Sequence, residues 1–147
     1  MRKISFSTNV HSPFEKIWEI MLDRIEHPFE SSPKEVRIIE RQDNFVVREV
    51  RARWQLITER ITIDKAKREI RYTIQEHPLA FGSATLRAVP LSRQSPVAPV
   101  QLSLVLDWTP KSEEAEQKIL KTMPTEVQQE VESIRDEAEG RGREVGI

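Results

Sequence analysis

The chain alternates between apolar and polar residues for most of its length, and helical periodicity appears only near its two ends. Ile4, Phe6 and Thr8 alternate with Lys3, Ser5 and Ser7, which predicts a first strand ending near Asn9. Phe14, Ile17, Trp18, Met21, Leu22 and Ile25 then share one stripe of a helix. Ser12-Pro13-Phe14-Glu15 is a suitable start, with Ser12 as cap, Pro13 in the first turn and Glu15 closing a capping box. His27-Pro28 ends the helix, because the residue before a proline avoids the α region.

Between residues 36 and 89 the period is two and β-branched side chains abound. Val36-Arg37-Ile38, Phe45-Val46-Val47, Leu56-Ile57, Ile61-Thr62-Ile63, Ile70-Arg71-Tyr72-Thr73-Ile74 and Leu86-Arg87-Ala88-Val89 read as strands. Turn chemistry separates them at 42–44, 52–53, 64–67 and 78–82. Leu102, Leu104, Leu106 and Trp108 form a last strand after a Pro- and Ser-rich hairpin loop at 90–99, the segment expected to be most mobile. Thr109-Pro110 is read as opening the final helix, whose stripe is Ala115, Ile119, Met123, Val127, Val131, Ile134 and Ala138. Pro124 interrupts that stripe and predicts a kink, or two helices meeting near Thr122. Gly140, Gly142 and Gly146 mark a frayed tail.

A one-faced antiparallel sheet must cover its apolar side, and the terminal helices are the available cover. The expected fold is α+β, a curved antiparallel sheet of about seven strands around a long C-terminal helix, enclosing a hollow. A chain of 147 residues, with no internal repeat, reads as a single domain over 1–147.

Composition narrows the chemistry. A net charge of −1 supplies no basic footprint for nucleic acid. With no cysteine there is no disulfide, thiolate zinc site or cysteine nucleophile, which fits a cytoplasmic protein. The N-terminus lacks an apolar signal core, and no stretch approaches the roughly 20 apolar residues of a membrane span. Four glycines, all at or beyond Gly82, cannot build a Walker loop, a Rossmann turn or a G-x-S-x-G elbow. His11, His27 and His77 have no second ligand at metal spacing and read as turn or loop residues, so neither metal nor cofactor is expected.

Several short motifs resemble a known family. Val10-His11-Ser12-Pro13 leads into Lys16-Ile17-Trp18-Glu19, His27-Pro28-Phe29 follows, and Val47-Arg48-Glu49 and Thr58-Glu59-Arg60-Ile61-Thr62 stand in the strands. These residues and the element order resemble the START-like (SRPBCC) superfamily of helix-grip folds, and within it the AtaL-like family. The match runs from about residue 4 to 108; the C-terminal helix matches in position only. The resemblance implies a cavity and a small apolar ligand, and no particular reaction.

Arg48 and Glu59 carry the sharpest hypothesis. With a two-residue turn at 52–53, residue 48 lies opposite 57 and diagonal to 59, on the face of Val46, Val50, Ile57, Ile61 and Ile63. In a hollow such a pair orients a ligand carbonyl or carboxylate, or lets Glu59 act as a base; on the outer face it is only a solvated ion pair. A bulge near Trp54 would invert the faces and bring in Glu49 and Arg60 instead. Trp18, Trp54, Trp108 and Tyr72 are the large aromatics, and each serves either core packing or a cavity wall. The residues expected to line a ligand site are Trp18, Arg48, Ile57, Glu59, Ile61, Tyr72, Met123 and Val127.

Three functions fit this reading. The first is non-enzymatic binding of a lipid, polyketide or other small hydrophobic molecule by a monomer or homodimer, with Pro124 and the 90–99 loop as gate. The second is a polyketide cyclase or aromatase-like enzyme in the same cavity, with Glu59, Arg48 and Tyr72 as candidate catalytic residues. The third is a protein-interaction module of the co-chaperone or stress-response type.

Overall fold

A computed structural model describes residues 3–29, 35–52, 55–92 and 98–140. The expected order of elements is present: β1 (Ile4–Val10), α1 (Phe14–Glu26), β2 (Glu35–Arg41), β3 (Phe45–Ala52), β4 (Gln55–Asp64), β5 (Glu69–Glu76), β6 (Ala80–Pro90), β7 (Val100–Pro110) and α2 (Glu113–Glu139). The strands form one curved antiparallel sheet in the order β1-β7-β6-β5-β4-β3-β2. Consecutive strands pair as hairpins from β2 to β7, and β1 closes onto β7. α1 therefore carries the chain from one sheet edge to the other.

Alternation decides which side of the sheet is covered. Across β1 and β7, Ile4 lies opposite Leu106, Phe6 opposite Leu104 and Thr8 opposite Leu102. Leu104 also faces Leu86, and Leu106 faces Ala84. α2 packs over β1 and β7 and also touches α1. Its stripe of Val127, Val131, Ile134 and Ala138 is buried against that sheet face, and Ile17, Trp18, Ile20, Met21 and Ile25 of α1 complete the core. Burying each large aliphatic side chain stabilises the fold by roughly 1.5–3 kcal/mol.

The helix ends depart from expectation in instructive ways. In α1, Pro13 itself is the N-cap, so Ser12 falls one position too early to cap and its buried hydroxyl has no partner. α2 starts later than expected, because β7 continues through Pro110 and pairs it with Ala80. Ser112 is the cap, its Oγ accepting from the Ala115 N–H at 3.0 Å. Glu113, Glu114 and Glu116 suit the positive helix start. At the other end Gly140 adopts φ 77° and closes α2 through its N–H, while the expected tail beyond it lies outside the described residues.

α2 is one helix from Glu113 to Glu139 with Pro124 inside it, not two helices meeting near Thr122. Pro124 and Leu120 are both exposed, so the turn in which the Leu120 carbonyl loses its N–H donor lies at the solvent side of α2. β6 also begins earlier than expected, and the anticipated 78–82 turn is partly strand. Gly82 sits within it at φ 119°, where an added Cβ would lie 2.2 Å from the Asp107 carbonyl oxygen, so only glycine fits. Residues 93–97 of the expected gate loop and Trp54 lie outside the described residues; the hairpin arms meet at Pro90 opposite Val100.

Candidate functional site

Two features meet on the concave side of the sheet. The first is a cleft of about 140 Å³, half open to solvent, between α2 and β7. Leu104 and Leu106 of β7 form its floor, and Met123, Glu126, Val127 and Glu130 of α2 form one wall. Phe29, just beyond α1, closes the end. Its surface is mixed, with apolar side chains beside two carboxylates. Met123, Val127 and Glu130 recur at helical spacing, and Leu104 and Leu106 at strand spacing. The periodicity that built the core therefore also marks this lining.

The second feature is a polar group further across the sheet. Ala52 pairs with Gln55, so the β3–β4 connection is 53–54, not 52–53. Arg48 thus lies directly opposite Glu59 instead of opposite Ile57. The pairing moves by two residues, which preserves the faces. Val46–Ile61, Arg48–Glu59 and Val50–Ile57 form one inward-facing ladder, while Arg60 is exposed and stacks on Phe45 at 3.9 Å.

Arg48 is 8% exposed and each of its three guanidinium nitrogens has a partner. Its Nε and Nη2 donate to Glu59 Oε1 at 3.0 and 2.9 Å. Its Nη1 donates to the Ile25 carbonyl at 2.7 Å and the Arg24 carbonyl at 3.3 Å. Arg48 therefore clamps the carbonyl end of α1, where positive charge is favoured. Arg24 extends the clamp to α2 through Glu137 at 2.9 Å. Phe29, at the end of the cleft, follows this anchored helix end by three residues.

Tyr72 lies between the two features. It is opposite Ile61 on one side and Ala84 on the other, and Ala84 pairs with Leu106 on the cleft floor. It is 9% exposed, with the Arg48 guanidinium 5.0 Å from its ring centre. Burial pushes its hydroxyl well above the ordinary tyrosine range; Arg48 opposes that shift, while Glu130 and Glu59 reinforce it. At neutral pH Tyr72 is thus a protonated donor.

Of the remaining expected lining residues, Trp18 is buried in the core against Phe14, and Ile61 is fully buried. Ile57 is half-buried beside Val50, away from the cleft. Trp108 is half-buried, with its Nε1 enclosed and unpartnered. Among the described residues no three His, Asp or Glu side chains converge as a metal site, and no helix is long and apolar enough to cross a membrane.

Comparison with known proteins identifies the architecture. No protein-family model matches the chain, and no curated protein does. Among solved structures it is similar to the Zhui aromatase/cyclase from Streptomyces sp. R1128, with 22% identity and a TM-score of 0.82 over 99% of this chain and 98% of that one. It is also similar to the di-domain aromatase/cyclase BexL of the BE-7585A biosynthetic pathway, with 19% identity and a TM-score of 0.69 over 92% of this chain and 45% of that one. A protein from Thermus thermophilus gives 14% identity and a TM-score of 0.66 over 95% of this chain and 96% of that one. The fold is the helix-grip fold of the aromatase/cyclases.

Proposed function

We propose that this protein binds a small, flat, hydrophobic molecule in the cleft between α2 and β7, with the Tyr72 hydroxyl at the polar end. The supporting observation is the cleft itself: about 140 Å³ of space floored by Leu104 and Leu106. An apolar cavity of about 150 Å³ accepts a benzene ring. In this reading the cleft takes up one aromatic ring, and a longer molecule projects through the open side. In this reading the chain is one domain of the START-like (SRPBCC) superfamily. The helix-grip architecture supports that placement. The finer AtaL-like likeness rests on the motif residues around Trp18, Arg48 and Glu59.

A second reading is polyketide cyclase or aromatase-like catalysis in the same space. The named aromatase/cyclases among the structural neighbours favour it. Tyr72 also has the required protonation state: a neutral hydroxyl in a buried site can donate to a carbonyl oxygen as charge develops there. Glu59 keeps one oxygen on Arg48 and has its other oxygen for a proton transfer.

Binding is tested by ¹H–¹⁵N NMR titration with indole and by native mass spectrometry of freshly purified protein. The expected result is saturable shifts confined to Leu104, Leu106, Met123 and Val127, abolished by Val127→Trp, which fills the cleft. Shifts scattered over the surface, or unchanged by Val127→Trp, would overturn the reading. Turnover of a linear polyketone, lost in both Tyr72→Phe and Glu59→Gln with binding retained, would establish the enzymatic form.

A further inference from the structure

The cleft between α2 and β7 is charged on one side only. Leu104, Leu106 and Val127 give it an apolar floor and wall, Phe29 stands at its end, and its two ionisable lining residues are Glu126 and Glu130. No lysine, arginine or histidine lines it among the described residues. Both acids come from α2, four residues apart, so one helical turn sets them side by side on the same opening. Glu126 is exposed and Glu130 half-buried, so the pair runs from the mouth inward. The Glu130 charge also reaches Tyr72, whose hydroxyl it helps to hold protonated, so the negative potential extends to the polar end of the cleft.

Other acids of α2 are neutralised by a nearby base. Glu137 meets Arg24 at 2.9 Å, Asp136 meets Arg135 at 3.1 Å and Glu114 meets Lys118 at 3.6 Å. Glu126 forms no ion pair among the described residues. The two buried bases of the concave side are committed elsewhere, Arg48 to Glu59 and the α1 carbonyls and Arg24 to Glu137. The cleft therefore offers an occupant an apolar bed and two acceptors. An ionised carboxylate accepts hydrogen bonds and donates none. An occupant carrying a carboxylate of its own would meet two like charges. An ammonium group meets opposite charge, and its N–H groups form charge-assisted bonds, the stronger kind.

We propose that the cleft selects a cationic occupant, a molecule with one aromatic ring and an ammonium group, the ring lying over Leu104 and Leu106 and the ammonium donating to Glu126 and Glu130. This rests on the cleft-binding reading and adds the charge of the ligand to it.

The test is an NMR titration at neutral pH and low salt with benzylamine, benzyl alcohol and benzoate, which share a ring and differ in charge. Benzylamine is expected to bind about tenfold more tightly than benzyl alcohol, because a charge-assisted hydrogen bond outweighs a neutral one. Benzoate should bind most weakly. Raising the salt to about 1 M should shrink the preference, since exposed charges are then screened within a few ångströms. The double variant Glu126→Gln with Glu130→Gln should erase it. Glu113→Gln with Glu114→Gln removes the same charge at the start of α2, away from the cleft, and should keep it. In wild-type protein the Glu126 and Glu130 carboxyl ¹³C signals should move with benzylamine and stay fixed with benzyl alcohol, a readout that needs no variant to fold. Equal binding of benzylamine and benzyl alcohol, tighter binding of benzoate, unmoved carboxyl signals, or a preference that survives the cleft variant or is lost in the distant one would overturn the cationic class and leave the cleft standing. Binding of none of the three would overturn both.

Discussion

The two halves of the concave face are built on different principles. Over β1 and β7 the inward row is apolar except for Thr8, and α2 covers it with Val127, Val131 and Ile134. Over β3, β4 and β5 the inward row carries Arg48, Glu59, Tyr72 and, through a bulge, His77. The first half is stabilised by area removed from water, which adds up residue by residue. The second is held by interlocking partners, where removing one strands another. The cleft lies on the first half, and its two carboxylates, Glu126 and Glu130, come from α2.

The sharpest way to break this contrast is to compare deletions. Ile134→Ala should cost about 3 kcal/mol by urea denaturation, because it leaves a cavity in a fully buried site. Combined with a distant core deletion such as Ile70→Ala, the losses should add. Arg48→Met should cost about 2–3 kcal/mol, since Glu59 and the two α1 carbonyls lose their donor while Glu59 keeps some solvent contact. The double variant Arg48→Met with Glu59→Leu should recover more than half of that loss. Additive losses at Arg48 and Glu59 would show that the pair is not interlocked.

A smaller effect separates the buried polar groups by pH. Tyr72 is the single tyrosine, so absorbance at alkaline pH reports it alone. Its folded pKa is raised, so above the ordinary value near 10 the unfolded chain loses a proton that the native state keeps, and stability falls as pH rises. Phenolate absorbance should therefore appear together with unfolding; a titration near pH 10 in folded protein would place the hydroxyl in water. His77 works in the opposite direction. Its folded pKa is lowered, so below the ordinary value near 6.5 the unfolded chain takes a proton that the native ring refuses. Stability should fall between pH 7 and pH 5.5 by up to about 1 kcal/mol, and His77→Asn should remove that part of the slope. An identical slope in the variant would contradict a buried neutral His77.

The same contrast explains what could be read from the chain. The order of elements along the chain, both helices and the α2 stripe follow from period 2 and period 3.6, while the shared face of Arg48 and Glu59 also required a two-residue turn between β3 and β4. The polar half depends on register, which periodicity does not specify. A connection at 53–54 instead of 52–53 changes the partner of Arg48 from Ile57 to Glu59. An extra residue at Gln75 turns His77 inward, although its position before Pro78 resembles an ordinary turn. Helix ends misled for a related reason: Pro13 and Pro110 both suit a helix start, but cross-strand pairing at Ala80 kept Pro110 in β7.

The central claim, that the face between α2 and β7 holds room for an aromatic ring, is tested most directly by a crystal soaked in benzene. The expected result is ring-shaped density between Leu104, Leu106, Met123 and Val127, within van der Waals distance of Phe29. A crystal structure in which those side chains close over the cleft, with benzene nowhere between α2 and β7, would contradict it.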